Sequence, residues 1–252
     1  MSGQSKEPIL RIVDLVVKFG ENAAVDGVNI EIFRGELRAL IGANGAGKTT
    51  LLNAISGAVK SSQGKVIFRG EDISGLPPHL ICRKGIARTF QLPNVMPGLT
   101  VRENVWLGIN TRSKTPWQPF KKAEQFTGTA ERVEVLCQLV GLKNNMGELA
   151  GNLSHGDQKL LEIAIAMSLD GSLLLLDEPT QGVSPNEIEK FIAVVADVAK
   201  KKTVVMIEHN MDVVLEISDK VTVLDHGKVI AENSPLQVIE DERVRRVYLG
   251  TQ

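Results

Sequence analysis

The chain has 252 residues, 43% of them hydrophobic, which suits one large α/β domain or a core domain carrying an inserted subdomain. Lys plus Arg (29) nearly balance Asp plus Glu (30), so nothing argues for a nucleic-acid footprint. No apolar run approaches ~18 residues and Met1–Pro8 is polar, so neither a membrane span nor an apolar signal region is expected.

Ile9–Phe19 is apolar and β-rich and reads as a strand, with a turn opening at Phe19-Gly20. Val28, Ile30 and Ile32 alternate with Asn29 and Glu31, which predicts a half-buried strand in an early antiparallel sheet. Gly35 turns the chain into Leu37–Ile41, a short strand that runs into Gly42–Thr50.

That stretch reads Gly-Ala-Asn-Gly-Ala-Gly-Lys-Thr-Thr, and Gly42, Gly47, Lys48 and Thr49 complete the phosphate-loop pattern. Glycines let the main chain turn sharply and approach an anion, so Asn44, Gly45, Ala46 and Gly47 are expected to cradle phosphate oxygens. A helix beginning near Lys48 and running to Ser56 adds the positive end of its dipole. Lys48 then reaches the β- and γ-phosphates, and the Thr49 hydroxyl holds Mg²⁺. A nucleoside triphosphate is the ligand this pattern implies.

Further on, Lys65–Arg69 is a strand, and Pro77-Pro78 and Gly85 bracket a short helix. Ile86–Phe90 is a strand ending at Gln91, whose amide oxygen is a candidate Mg²⁺ ligand. Pro93, Pro97 and Gly98 then break the chain, and Thr100-Val-Arg-Glu103 is a capping box that starts a helix. Arg112–Gly128 is polar and irregular, and Ala130–Val140 is helical. Residues 92–153 are thus read as a helical insert. Trp106 is expected in its core and Trp117 as a local anchor. Cys82 and Cys137 are expected to be reduced, buried thiols, as in a cytosolic protein.

Leu153-Ser-His-Gly-Asp-Gln158 opens a long helix with Ser154 as N-cap and Asp157 in its first turn. Leu173–Leu176 is a buried strand with Asp177 and Glu178 at its end, where open α/β sheets bind ligands. Neighbouring strand residues point oppositely, so Asp177 is assigned to the Mg²⁺ shell and Glu178 to activation of the attacking water. Ser184-Pro-Asn-Glu187 caps the next helix. Thr203–Ile207 is another buried strand, after which His209 can contact the γ-phosphate. Asp225-His-Gly227 turns a hairpin, and Pro235–Tyr248 reads as a helical tail. His79, His226 and Lys200–Lys202 read as surface residues. Strands alternating with helices imply a largely parallel sheet.

The phosphate loop, Gln91, Leu-Ser-His-Gly-Asp-Gln, Leu-Leu-Leu-Leu-Asp-Glu-Pro-Thr and His209 follow in the order of an ATP-binding cassette (ABC) transporter ATPase, which the whole chain resembles. The resemblance implies a P-loop NTPase fold: an α/β RecA-like core with a mostly parallel sheet, an N-terminal antiparallel β-subdomain and an inserted helical subdomain. Residues 9–91 and 154–232 then form the nucleotide-binding core, 92–153 the insert and 233–252 a tail, all within one cassette. It implies ATP and Mg²⁺ as ligands, Phe19 stacked on the adenine, Gln91 linking Mg²⁺ to the helical subdomain, and Glu178 as catalytic base. It implies a second cassette, identical or paralogous, whose ATP is capped by Ser154 and Gly156 of this chain.

Three departures stand out: His155 and Asp157 within the Leu-Ser-Gly-Gly-Gln pattern, and Ser184 where many members carry aspartate. These variants, the length, the long insert and the ending Val-Tyr-Leu-Gly250 resemble the branch that energises uptake of branched-chain or other hydrophobic amino acids. A urea-uptake relative and lipopolysaccharide exporters with a similar tail keep the solute open, and soluble cassette proteins keep a non-transport role open. The branch implies permease subunits that cross the membrane, a solute-binding protein acting indirectly, and a peripheral position on the cytoplasmic side. Pro93–Leu99, apolar yet loop-like, is the expected permease docking segment.

Overall fold

The computed structural model describes residues 7–89, 94–111 and 127–249. Gln91, Pro93, Trp117 and most of Arg112–Gly128 therefore lie outside the described residues.

Two sheets form the scaffold. The first is antiparallel and has the order β2-β1-β4-β5, from β1 (Leu10–Phe19), β2 (Asn22–Ile32), β4 (Gln63–Phe68) and β5 (Glu71–Asp72). The second has the order β10-β9-β3-β8-β7-β6. It is built from β3 (Leu37–Ile41), β6 (Ile86–Arg88), β7 (Leu173–Asp177), β8 (Thr203–Ile207), β9 (Lys220–Asp225) and β10 (Lys228–Asn233). All its pairings are parallel except the β9–β10 hairpin. Every residue of β3, β7 and β8 is buried, as near-continuous apolar strands covered on both faces must be. The second sheet thus agrees with the parallel reading, although β6 stops at Arg88, short of the expected Phe90.

Side chains on β7 alternate between two cores. Leu173 and Leu175 face the first sheet and helix α1 (Lys48–Ile55). Leu174 and Leu176 face the opposite layer, which includes α3 (Val101–Asn110), α4 (Thr127–Leu139), α5 (His155–Ser168) and α6 (Pro185–Ala199). Helix α2 (Pro78–Lys84) precedes β6, and α7 (Met211–Ile217) follows β8. Between 94 and 152 the described residues hold α3, α4, two 3-10 turns and one isolated bridge, Thr100 to Leu149. The capping box of α3 is complete: Thr100 Oγ1 accepts from the Glu103 N–H and a Glu103 carboxylate oxygen accepts from the Thr100 N–H. Trp106 is half-buried against this core.

Arg38 on β3 is fully buried. Its guanidinium donates to Glu36 and to Thr222 Oγ1 (2.7 Å), donates to the Glu31 carbonyl (3.1 Å) and pairs with Glu232 (2.7 Å). A buried cation needs such complete pairing, and here its partners join β3, β9 and β10 to β2 of the other sheet.

Three expectations need correction. The tail is two helices, α8 (Pro235–Glu240) and α9 (Glu242–Leu249). Asp241 breaks them apart: its backbone is extended and its carboxylate accepts from the Arg243 N–H, which starts a new helix. Ser184 does precede α6, but its hydroxyl donates to Glu187 Oε2 (2.6 Å) and caps no backbone group. Cys82 is only half-buried. Cys137 is buried, and desolvation pushes its thiol up to about 11.

Candidate functional site

The carboxyl ends of β3, β8 and β7 lie side by side, with Leu40 opposite Ile207 and Ile207 opposite Asp177. Whatever follows these strands converges at one edge. After β3 comes the glycine-rich turn, after β7 Glu178, and after β8 Glu208 and His209. A cavity of about 180 Å³ opens there, lined by Ala24, Asn44–Thr50, Glu178 and His209.

The turn is possible only with glycine at two positions. Gly42 (φ 150°) and Gly47 (φ 101°) have positive φ. A Cβ at Gly42 would run into the Leu224 carbonyl, and one at Gly47 into the Ala24 carbonyl. Helix α1 starts directly from Gly47, with no side-chain cap and no acid in its first turn. Its free N–H groups suit an external anion.

Lys48 lies under the turn, 5% exposed, and donates to the carbonyls of Gly42 (2.8 Å) and Ala43 (2.9 Å). Burial pushes its ammonium below the ordinary lysine range, against the pull of the Glu178 and Asp177 carboxylates. Thr49 is exposed.

Asp177 continues the Leu173–Leu175 row toward α1, and Glu178 leaves the strand. Asp177 is buried and accepts from Arg88 Nη2 (2.9 Å). Arg88 in turn donates to Asn53 Oδ1 (2.7 Å) and Ser56 Oγ (2.8 Å) of the α1 region. Glu178 has φ 49°, the left-handed region that side chains disfavour. Its Oε1 lies 2.9 Å from His209 Nε2, joining two predicted site residues directly. Glu208 is buried: it accepts from the Thr180 hydroxyl (2.8 Å) and from the N–H groups of His209 (2.9 Å) and Asn210 (3.1 Å).

Phe19, at the end of β1, is 55% exposed, an open aromatic face outside the cavity lining. Ser154 and Gly156 are also absent from the lining. Ser154 caps α5 as expected, its Oγ accepting from the Asp157 N–H (3.1 Å). The same hydroxyl donates to Glu187 Oε1 (3.2 Å), and a Cβ at Gly156 would press on that carboxylate. Asp157 turns to Lys190 of α6 (2.8 Å). Lys190, Glu208 and Arg88 were not singled out in the sequence, and Glu187 was read only as part of a helix start. The only signal was an acid or base near a helix start or strand end.

A mostly parallel sheet with a glycine-turned anion cradle after one strand and an Asp-Glu pair after another defines a P-loop nucleoside triphosphatase. The ABC transporter family model matches residues 25–181. The chain is 34% identical over 253 residues to the high-affinity branched-chain amino acid transport ATP-binding protein LivG of Escherichia coli K12, covering 97% of this chain and 98% of that one. It is 36% identical to a probable branched-chain amino acid transport ATP-binding protein of Archaeoglobus fulgidus, covering 97% and 96%. It also matches the crystal structure of an ABC transporter cassette in its ADP conformation, at 33% identity and TM-score 0.84 over 97% of this chain and 99% of that one. The chain belongs to the ABC transporter family, as an ATP-hydrolysing cassette.

Proposed function

We propose that this chain is the motor subunit of an importer for branched-chain or other hydrophobic amino acids, acting at the cytoplasmic face through separate permease subunits. One observation carries the motor reading. Three neighbouring strand ends bring the cradle, Asp177, Glu178 and His209 to one edge, while Ser154 and Gly156 lie outside the cavity that Glu178 and His209 line. Such a site is half complete, and a second cassette supplies the missing half. The amino-acid reading rests on the names of the relatives and waits on identification of the permeases.

In this reading Asn44–Thr50 wrap the phosphates and Lys48 exchanges its two carbonyl partners for β- and γ-phosphate oxygens. Phe19 stacks on the adenine. The Mg²⁺ donors are Thr49, Asp177 and Gln91. Among the described residues no group of three or more His, Cys, Asp or Glu side chains is built to hold a metal. A hydroxyl and a carboxylate that share the ion with phosphates fit Mg²⁺, which is commonly held that way. When bound, the ion neutralises charge that develops on the transferred phosphoryl group. Glu178 accepts the proton of the attacking water, and His209, hydrogen-bonded to it, orients that water. Residues 9–91 and 154–232 act as the nucleotide-binding core, 92–153 as a helical subdomain and 233–252 as a tail. Met96, exposed in the loop that Asn104 holds (Met96 N–H to Oδ1, 2.8 Å), belongs to the permease-docking segment.

Glu178→Gln tests this. Turnover is expected to fall by about 10²- to 10⁴-fold, the typical contribution of a general base. ATP binding is retained, and a stable dimer accumulates in size-exclusion light scattering with MgATP. A variant that stays monomeric at saturating MgATP overturns the motor reading. Capture of polytopic permease chains by the tagged variant from detergent-solubilised membranes supports the importer reading, and capture of soluble partners alone removes it.

A further inference from the structure

Lys159 stands on α5 five residues beyond Ser154, about 7.5 Å along a helix that rises ~1.5 Å per residue. It is 3% exposed, and its Nζ donates to the main-chain carbonyl of Glu178 (2.9 Å). Burial pushes its ammonium below the ordinary lysine range, while Glu162, Glu208, Glu178 and Asp177 pull the other way. An ammonium is costly to bury, and this one reaches the peptide of a residue in strained backbone. Glu178 is also held by other groups: its N–H donates to Ile207 O of β8 (3.1 Å), its carbonyl accepts from the Gln181 N–H (3.1 Å), and its carboxylate meets His209. Lys159 ties this peptide to α5.

We propose that Lys159 is a positioning residue that holds Glu178 in its left-handed conformation and couples the two nucleotide sites of a closed dimer. This rests on the reading above, in which Glu178 is the base for the chain's own ATP and Ser154 caps the partner's. The first turns of α5 then serve two different nucleotides. Ser154 contacts the one held by the partner, and Lys159 aims the base at the one held at home. A displacement of α5 on capture of the first changes the aim of Glu178 at the second. The coupling is direct because a single rigid helix carries both residues.

The test uses the full chain with Lys159→Met and Lys159→Arg, each alone and combined with Glu178→Gln. Lys159→Met is expected to lower kcat at least about tenfold, since misplacing a reacting group by ~1 Å costs on the order of 100-fold. The ATP concentration that half-forms the dimer in the Glu178→Gln background stays within about twofold, and the Hill coefficient for hydrolysis falls to about 1. Lys159→Arg keeps a cationic donor and restores kcat. Lys159→Gln keeps a donor without burying a charge and serves if the Met variant does not fold; it is expected to lower kcat with dimerisation intact. Wild-type kcat and Hill coefficient in Lys159→Met or Lys159→Gln overturn the proposal. So does loss of ATP binding together with turnover in both the Met and the Arg variants, which marks a folding role. A wild-type chain that neither hydrolyses ATP nor dimerises with it refutes the underlying reading instead.

Discussion

Helices α1 and α5 begin in opposite ways. Helix α1 opens from a left-handed glycine with no side-chain cap and no acid in its first turn. Helix α5 opens from a serine that caps it, with Asp157 in its first turn and the Glu187 carboxylate on the serine hydroxyl. Both ends expose the same kind of donors, because the first four N–H groups of any helix lack an internal acceptor. The first is left open to an outside anion, and the second carries a side-chain cap, Ser154 Oγ accepting from the Asp157 N–H. On the reading proposed above, the α1 end meets its ligand within one subunit and can stay bare, whereas the α5 end meets phosphate only when two subunits close and carries a cap of its own until then.

The sharpest way to break this comparison is to spoil the bare end. Gly47→Ala puts a Cβ against the Ala24 carbonyl at a φ of 101°. Strain of at least about 2 kcal/mol is expected there, or roughly thirtyfold in ATP affinity by calorimetry. Unchanged affinity means that the turn relaxes and that its conformation does not limit binding.

Ser154→Ala acts on the capped end and separates two effects. The isolated chain loses a cap worth about 1 kcal/mol, a fall of roughly 2–4 °C in melting temperature. Dimer formation in the Glu178→Gln background loses a hydrogen bond to a charged group, so the half-closing ATP concentration rises about tenfold. Equal melting temperatures but altered dimerisation make the serine a ligand group only.

The smallest effect comes from α3, whose box never meets a ligand. The Thr100 N–H, and then the Thr100 hydroxyl, hold the Glu103 carboxyl below its ordinary value of 4.5. A carboxylate with a depressed folded pKa stabilises the fold above 4.5 and loses that contribution as pH falls through the folded value. Glu103→Gln therefore costs stability at pH 7 and nothing once the wild-type carboxyl is protonated. Urea midpoints at pH 7 and near pH 3 check this, and a pH-independent difference between the two proteins contradicts it.

Local chemistry made much of this legible. Gly42–Thr50 between a strand and a helix, four leucines before Asp177 and Glu178, and the Thr100–Glu103 box each carry their meaning within about ten residues. Contacts between distant segments were not legible. Glu36 is the one near partner of Arg38 among the contacts described, and it does not by itself announce a fully buried cation: Thr222 and Glu232 lie some 190 residues away and Glu31 offers only a carbonyl. Lys159, one polar residue near a helix start, drew no reading, and Glu208 was passed over beside His209. The positive φ of Glu178 is a tertiary constraint that no residue type declares. The break at Asp241 was hidden by a helical pattern that runs across it, and only the carboxylate on the Arg243 N–H reveals it.

The buried Arg38 cluster has a mechanical consequence. By linking β2 to β3, β9 and β10, it ties the antiparallel sheet to the six-stranded sheet. Phe19 rides on one sheet and the glycine turn follows a strand of the other, so the cluster braces the span from aromatic face to anion cradle. On the proposed reading, the nucleotide is gauged from adenine to phosphate across this tied pair of sheets. On that reading, the travel of a closing dimer falls on elements that the cluster does not tie, α5 among them.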